Sequence, residues 1–176
     1  MTADSTATVQ VPATGIYRVD PKSTVVSYSG RHMFGLGTVH ATFTVRSGEL
    51  RIADLPASST VAVTIDAASF HSSSARRDKD VTGSGLLDVA TYPDITFVSD
   101  GLREAGARWL VLGRVTAHGS TVPVELVLED VHPEGDGIRL HAHADHLDRR
   151  AFGITGSQGM VGRYLDLDLD VFASKA

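Results

Sequence analysis

The segment from Arg76 to Phe97 reads RRDKDVTGSGLLDVATYPDITF and changes character twice along its length. Its first part is charged and suits a helical turn or a loop. Its middle contains two glycines, which disfavour a long regular helix. After Pro93, apolar Ile95 and Phe97 alternate with polar residues, and this alternation predicts the start of a strand. Because strand patterns lie on both sides, the sequence predicts one long interruption, a helical turn or a loop, between strands of a sheet.

Apolar and polar residues alternate along much of the remaining chain, which is the signature of strands with one buried face. The alternation is clear over residues 38–45 and 60–65. Residues 109–116 and 122–128 are predicted to form a hairpin. Ser47-Gly48 predicts a turn between two short strands.

The segment 165–171 reads LDLDLDV and alternates without exception. Its aliphatic side chains are predicted to face inward and its aspartates to face water. A register shift of one residue would bury those carboxylates, each at a cost of several kcal/mol without a partner. About eight or nine strands are predicted in all, which fits either a two-sheet sandwich or a closed antiparallel barrel.

Composition bounds the functions open to this chain. Its 176 residues suffice for one domain with a core. A net charge of −5 argues against nucleic acid as a partner. The basic doublets Arg76-Arg77 and Arg149-Arg150 lie beside aspartates and are interpreted as solvated surface charge. The absence of cysteine excludes disulfides and thiolate chemistry.

Residues 1–14 are rich in threonine and alanine, lack apolar periodicity, and are predicted to form a flexible N-terminal tail. Residues 15–176 are predicted to form a single β-barrel or sandwich domain. Residues 1–15 do not resemble a secretory signal, and no apolar run approaches the ~20 residues of a membrane helix. We therefore expect a cytoplasmic protein without a transmembrane segment.

Several short motifs together resemble the YceI-like family, a lipocalin-like group of small bacterial proteins. In the central segment they are Arg77-Asp78, Asp88-Val89 and Tyr92-Pro93-x-Ile95-Thr96-Phe97. Elsewhere they are Tyr17-x-Val19-Asp20-Pro21-x-Ser23, His32, Gly113, His118-Gly119, Pro123-Val124, Asp148-Arg149 and Phe152-Gly153. The resemblance covers roughly residues 16–172.

The resemblance implies an all-β fold, an eight-stranded antiparallel lipocalin-like barrel with short helical segments between residues 75 and 92. It also implies binding, carriage or storage of a long isoprenoid lipid of the quinone or polyprenyl type inside the barrel. Such a lipid would be a ligand, so no cofactor is expected. Because the family has exported members, an exported location is the alternative to the cytoplasm.

Physical reasoning supports an apolar interior. The interior of an eight-stranded barrel is either filled by side chains or holds one slender ligand, and only 6% of this chain is aromatic. Each buried methylene contributes ~0.8 kcal/mol. Nine residues are predicted to line the interior, and several of them are expected to pack a solid core. The nine are Val26, Tyr28, Phe43, Val63, Ile65, Phe97, Leu126, Leu167 and Leu169.

Four residues are predicted near the mouth of the barrel: His32, Phe34, Arg77 and Asp78. His32 is either a polar contact for a ligand head group or a structural histidine. Arg77 and Asp78 could also hold a head group. The favoured interpretation is that they form a charge-assisted pair that fixes the central segment to the barrel rim.

The eight histidines raise the question of a metal site. His141 and His143 share a face of a predicted strand, and His146 follows, but exposed or hydrogen-bonded histidines are favoured over metal ligands. No metal is therefore predicted.

No catalytic motif is present, and the chain is not predicted to be an enzyme. One alternative is an enzyme acting on a hydrophobic small molecule with His32 or His71 as acid or base. Another is a stress-response module without a small ligand. A homodimer is also possible.

Overall fold

The computed structural model describes residues 8–32, 36–157 and 161–176. Within them the chain forms ten strands and one α-helix. The strands are β1 Thr8–Val9, β2 Gly15–Val19, β3 Val25–His32, β4 Gly37–Ile52, β5 Thr60–Ser72, β6 Asp94–Ala105, β7 Arg108–Ala117, β8 Ser120–Glu134, β9 Gly137–Asp148 and β10 Val161–Lys175, and the helix is α1 Ala75–Thr82. Short 3₁₀ helices occupy Pro21–Ser23, Pro56–Ser58 and Arg149–Phe152. No helix in the described part of the chain has the length and apolarity needed to cross a membrane.

Eight antiparallel strands close into a barrel. Strands β3 to β10 pair with their neighbours in chain order, and β10 pairs back with β3 to complete the circle. Strand β2 also pairs with β4 and β10, so β2 and β3 share one position in the barrel. The 3₁₀ helix Pro21–Ser23 separates them, because proline cannot donate to the ladder. The predicted all-β barrel is therefore confirmed.

The predicted helical interruption is also confirmed. Helix α1 begins where the Ser74 hydroxyl accepts a hydrogen bond from the backbone N–H of Arg77 at 3.2 Å. It ends at Gly83, and turns continue to the start of β6. This segment covers one end of the barrel and buries Leu86 there. The carbonyl of Gly85 approaches Gly156 so closely that a side chain at position 156 would clash with it.

Strand β10 has the predicted register. Leu167 and Leu169 face the interior, whereas the side chains of Asp168 and Asp170 are 55% and 51% exposed. Asp168 accepts from His141 at 2.8 Å, and Asp170 accepts from Arg139 at the same distance. The outward carboxylates therefore pair across to β9 while the leucines face inward.

The turn predicted at Ser47-Gly48 is wrong, because β4 continues through it. The pairing of β4 with β5 changes register between Val45 and Ser47, which identifies a β-bulge. At Gly48 an added Cβ would lie 2.7 Å from Cγ2 of Val19, so no side chain fits there. The glycine marks a close approach between strands, and the chain does not reverse at this point.

The prediction of a flexible tail is wrong for residues 8–14, and residues 1–7 lie outside the described residues. Strand β1 pairs in parallel with β8, and the N–H of Gln10 donates to the carbonyl of Val131 at 2.8 Å. The Tyr17 hydroxyl donates to the Ala13 carbonyl at 2.8 Å. Backbone pairing thus holds this segment although its sequence has no apolar periodicity.

Candidate functional site

The barrel encloses two apolar cavities. The first, which we call the distal cavity, has a volume of about 170 Å³ and includes Leu50, Trp109 and Val131 in its wall. The second, which we call the helix-side cavity, has a volume of about 130 Å³ and includes Val81 of α1 and Leu86. The walls of both are almost entirely hydrocarbon, so the interior suits an apolar ligand.

The structure places all nine predicted lining residues at these cavities. The distal cavity alone is bordered by Val63, Phe97, Leu126 and Leu169. The helix-side cavity alone is bordered by Tyr28 and Phe43. Both cavities are bordered by Val26, Ile65 and Leu167. The inward positions follow from strand alternation, and contact of these residues with a ligand stays a prediction.

The two cavities adjoin at a group of shared side chains, which we call the waist. Its residues border both cavities: Val26, Ile65, Ile95, Val115 and Leu167. A cavity of about 150 Å³ holds one benzene molecule, so each cavity as it stands has room for roughly one or two isoprene units. A longer chain bound inside the barrel must therefore cross the waist.

Three of the four aromatic rings in the helix-side cavity wall pack together. Phe70 packs edge-to-face against Tyr28 and Phe43, with centroid distances of 5.7 and 5.4 Å. The sequence pattern does not predict Phe70 at the cavity, because strict alternation from Ile65 places it on the outer face. The pairing of β5 with β4 jumps from Asp66 to His71, and this irregularity turns Phe70 inward.

Arg149 is buried beside the helix-side cavity, with only 4% of its surface exposed. Its Nε donates to the carbonyl of Gly162 at 2.9 Å, Nη1 to that of Ile154 at 2.7 Å and Nη2 to that of Val161 at 3.1 Å. Burial lowers the pKa of its guanidinium. The prediction of a solvated doublet is therefore wrong for Arg149, although Arg150 is exposed as expected.

Tyr28 contributes the second polar group near this cavity. Its side chain extends along β3 over Gly30, where the missing side chain leaves room for the hydroxyl. Burial raises the pKa of Tyr28, and the positive charge of Arg149 opposes that shift in part. The phenol is therefore a neutral hydrogen-bond donor near neutral pH.

The predicted mouth residues lie near the helix-side end or outside the described part. The backbone of His32 pairs with Gly37 and Val161, its side chain is not among those described, and Phe34 lies outside the described residues. Arg77 forms no ion pair with Asp78 in the described structure, so that prediction is wrong.

The Asp78 carboxylate instead accepts from the Ser72 N–H at 2.9 Å and from the Ser72 hydroxyl at 2.6 Å. Adjacent helical residues point in different directions, which explains why Arg77 and Asp78 do not pair. The carboxylate still fixes α1 to the barrel, but through β5.

The three histidines considered as metal ligands have separate partners. Nε2 of His141 lies 2.8 Å from Asp168, and Nδ1 of His143 lies 2.7 Å from Glu129. His146 stacks on Tyr164 with a centroid distance of 3.8 Å. Among residues 8–32, 36–157 and 161–176, no three histidine, aspartate or glutamate residues are grouped to hold a metal ion.

The N-terminal segment forms part of the distal cavity wall. Val9, Val11 and Pro12 border this cavity together with Pro56. The sequence does not predict these residues at the cavity, because they carry no strand pattern. They make residues 8–14 part of the candidate site.

Comparisons with known proteins agree with the barrel architecture. The model of the YceI-like domain matches residues 17–173. A UPF0312 protein of Pseudomonas putida is 33% identical over 164 residues, covering 88% of this chain and 84% of its own. A UPF0312 protein of Pseudomonas syringae pv. syringae is 31% identical over 159 residues, with 82% of each chain covered.

Two solved structures have the same fold. BcnA of Burkholderia cenocepacia superposes with a TM-score of 0.77 at 24% identity, covering 89% of this chain and 99% of its own. A polyisoprenoid binding domain from Saccharophagus degradans superposes with a TM-score of 0.65 at 12% identity, covering 93% and 100%. At these identities the two structures support the architecture and leave the ligand open.

Proposed function

The chain belongs to the YceI-like domain family, and on that premise we propose that it binds a long isoprenoid lipid, of the quinone or polyprenyl type, inside its barrel for carriage or storage. The observation that carries the proposal is the pair of hydrocarbon-lined cavities that meet at the waist. The solved structure of a polyisoprenoid binding domain with the same fold gives further support.

The energetics favour a slender apolar chain. Each methylene transferred from water contributes ~0.8 kcal/mol, so a few isoprene units offset the cost of association without many polar contacts. The wall contains mostly Val, Ile and Leu side chains, which leave narrow free space. A bulky rigid ligand would need a wider cavity.

The alternative of an enzyme has less support. Among the described residues, the walls of the distal and helix-side cavities contain no histidine, aspartate, glutamate or lysine. His71 is 81% exposed on the outside, 3.6 Å from Asp78, and borders neither cavity. The side chain of His32 lies outside the described part. A binding protein therefore fits the interior better than a catalyst.

The first test is native mass spectrometry of protein purified without detergent, followed by titration with a fluorescent polyprenyl probe. A bound mass of isoprenoid composition and saturable probe binding are expected. An empty protein that does not bind the probe would overturn the proposal and favour a module without a small ligand.

Charged variants test the location of the lipid. Val63→Glu and Leu126→Asp place a carboxylate in the distal cavity wall, where an unpaired charge costs several kcal/mol. Both should abolish probe binding and lower stability. Ala62→Glu adds the same charge to the exposed face of β5 and should bind normally. Full binding by a folded Val63→Glu protein would show that the lipid does not occupy the barrel.

A further inference from the structure

We propose that the distal end of the barrel docks onto the surface of a lipid bilayer and takes up the isoprenoid there. The inference rests on the proposed function and adds to it a partner and a route of entry. The docking surface, which we call the distal rim, consists of residues 9–14 and 53–59. The Thr14 hydroxyl joins the two segments by donating to the Asp54 carboxylate at 2.9 Å.

Apolar side chains of the distal rim face the solvent. Leu55 is 66% exposed and Val11 is 57% exposed, and Ala13 and Ala57 beside them are exposed as well. Asp54 is the only charged residue in the two segments, and the chain as a whole has a net charge of −5. Exposed apolar groups mark contact surfaces for proteins or membranes. Attraction to anionic lipids is not expected here, so the contact with a bilayer would be apolar.

The distal rim is continuous with the distal cavity, and this favours a bilayer over a protein as its partner. Of the seven large apolar residues that are exposed in the described structure, only Val11 borders a cavity. Pro56, which follows Leu55, borders the same cavity. At Val11 one residue thus forms both the inner wall and the outer surface. A prenyl tail that passes here exchanges the bilayer for the cavity with little exposure to water.

The distal rim also opens more readily than the helix-covered end. Residues 9–14 are all described and include no buried side chain. Backbone pairing such as the bond from the Gln10 N–H to the Val131 carbonyl fixes them to the barrel. The cover at the other end instead buries a cluster that includes Leu86 and Phe152. Opening costs free energy in proportion to the apolar surface that it exposes, so the distal end is the less costly entrance.

The competing docking surface lies at the helix-covered end. Leu36 there is 88% exposed, but it borders neither of the two described cavities. Labels at the two ends distinguish these surfaces. Because the chain contains no cysteine, each introduced cysteine carries the only label.

The first measurement follows docking directly. Leu55→Cys, Leu36→Cys and Val98→Cys each receive an environment-sensitive fluorophore, and phosphatidylcholine vesicles are then added. Val98 is the control, because it is an exposed apolar residue of β6 that borders neither described cavity. We expect a blue shift of emission at position 55 and unchanged emission at positions 36 and 98. A shift at position 36 without one at position 55, or no shift at any position, would overturn the proposal.

The second measurement follows transfer of a fluorescent polyprenyl probe from the vesicles to the protein. The wild-type rate should rise in proportion to protein concentration, as transfer by collision requires, and should change less than twofold with added salt. Leu55→Asp should transfer the probe at least tenfold more slowly, which corresponds to about 1.4 kcal/mol. Leu55→Trp should match or exceed the wild-type rate, because tryptophan favours the membrane interface. Val98→Asp adds the same charge elsewhere and should keep the wild-type rate.

Affinity for geraniol in the absence of vesicles separates this inference from the proposed function. Leu55 borders neither described cavity, so Leu55→Asp should bind geraniol within about twofold of the wild type. If the wild type binds neither geraniol nor the probe, the proposed function fails. If it binds both and Leu55→Asp transfers the probe at the wild-type rate, docking at the distal rim fails and the lipid-binding proposal stands. A wild-type dimer that Leu55→Asp dissociates in sedimentation would assign the distal rim to a second copy of the chain instead.

Discussion

Blocking the waist should divide the barrel into two separate sites. Val115 borders both cavities and lies on β7 with its side chain inward. Val115→Phe would project a larger, aromatic side chain into the waist. We expect a protein that still binds short prenols but no longer gains affinity from a longer tail.

The structural cost of this change should be small. The ring adds four carbon atoms, whose burial contributes up to about 3 kcal/mol, and the cavities on either side leave room for it. Strain at the waist costs about 1–3 kcal/mol. The two effects nearly cancel. Each kcal/mol of net change in the free energy of unfolding should shift the melting temperature by about 2–4 °C.

The effect on binding should be large by comparison. Geraniol has two isoprene units and fits within one cavity, whereas geranylgeraniol has four and must cross the waist. Two more buried units contribute up to about 8 kcal/mol at ~0.8 kcal/mol per methylene. If only a third of this is realised, the wild type binds the longer alcohol about a hundredfold more tightly. In Val115→Phe this ratio should fall below about tenfold.

The assay is displacement of a fluorescent prenyl probe by each alcohol. Val98→Phe is the matched control, because it adds the same ring to a residue of β6 that is 44% exposed, and its ratio should equal that of the wild type. A folded Val115→Phe protein with an unchanged ratio would refute the idea that the tail crosses the waist.

Three further predictions concern stability. Deleting residues 1–14 should lower the free energy of unfolding by about 1–2 kcal/mol, because β1 and its hydrogen bonds to β8 are lost; an unchanged melting temperature in calorimetry would contradict this. Asp78→Ala should cost about 1–3 kcal/mol by leaving Ser72 without its acceptor, and amide exchange should rise in α1, whereas the exposed Asp80→Ala control should show neither effect. Because the pKa of Tyr28 is raised above 10.0, its contribution to stability is complete below pH 10 and is lost as the pH rises through the folded-state pKa. In denaturant titrations above pH 10, Tyr28→Phe should therefore lose less stability than the wild type. Equal losses in the two proteins would argue against a buried phenol.

The sequence predicted those features that depend on residues close together in the chain. The alternation over residues 165–171 predicted the register of β10, because a shift would bury carboxylates. Gly83, Gly85 and Pro93 predicted where the strands around the central segment stop and resume. The inward positions of the lining residues also followed, since side chains alternate along any regular strand.

The alternation pattern did not predict where strands become irregular. The bulge at Ser47-Gly48 has the composition of a turn, and only pairing with β5 shows that β4 continues. Phe70 lies on the outer face by counting, yet the irregular pairing between Asp66 and His71 buries it. A bulge shifts the phase of alternation, and the partner strand that defines it is distant in sequence.

The sequence by itself thus determined a single all-β chain with one interruption between its strands, an aliphatic inner face and an acidic outer face on its last strand. Only the tertiary structure decided where charge is buried. Arg149 and Arg150 are the same type of residue and adjacent in sequence. The 3₁₀ turn at the end of β9 nevertheless directs Arg149 to the interior and Arg150 to water. The carbonyls that receive Arg149 come from the loop that returns to β10. Burial of a charge depends on such distant partners, whereas periodicity reports only on neighbours along one strand.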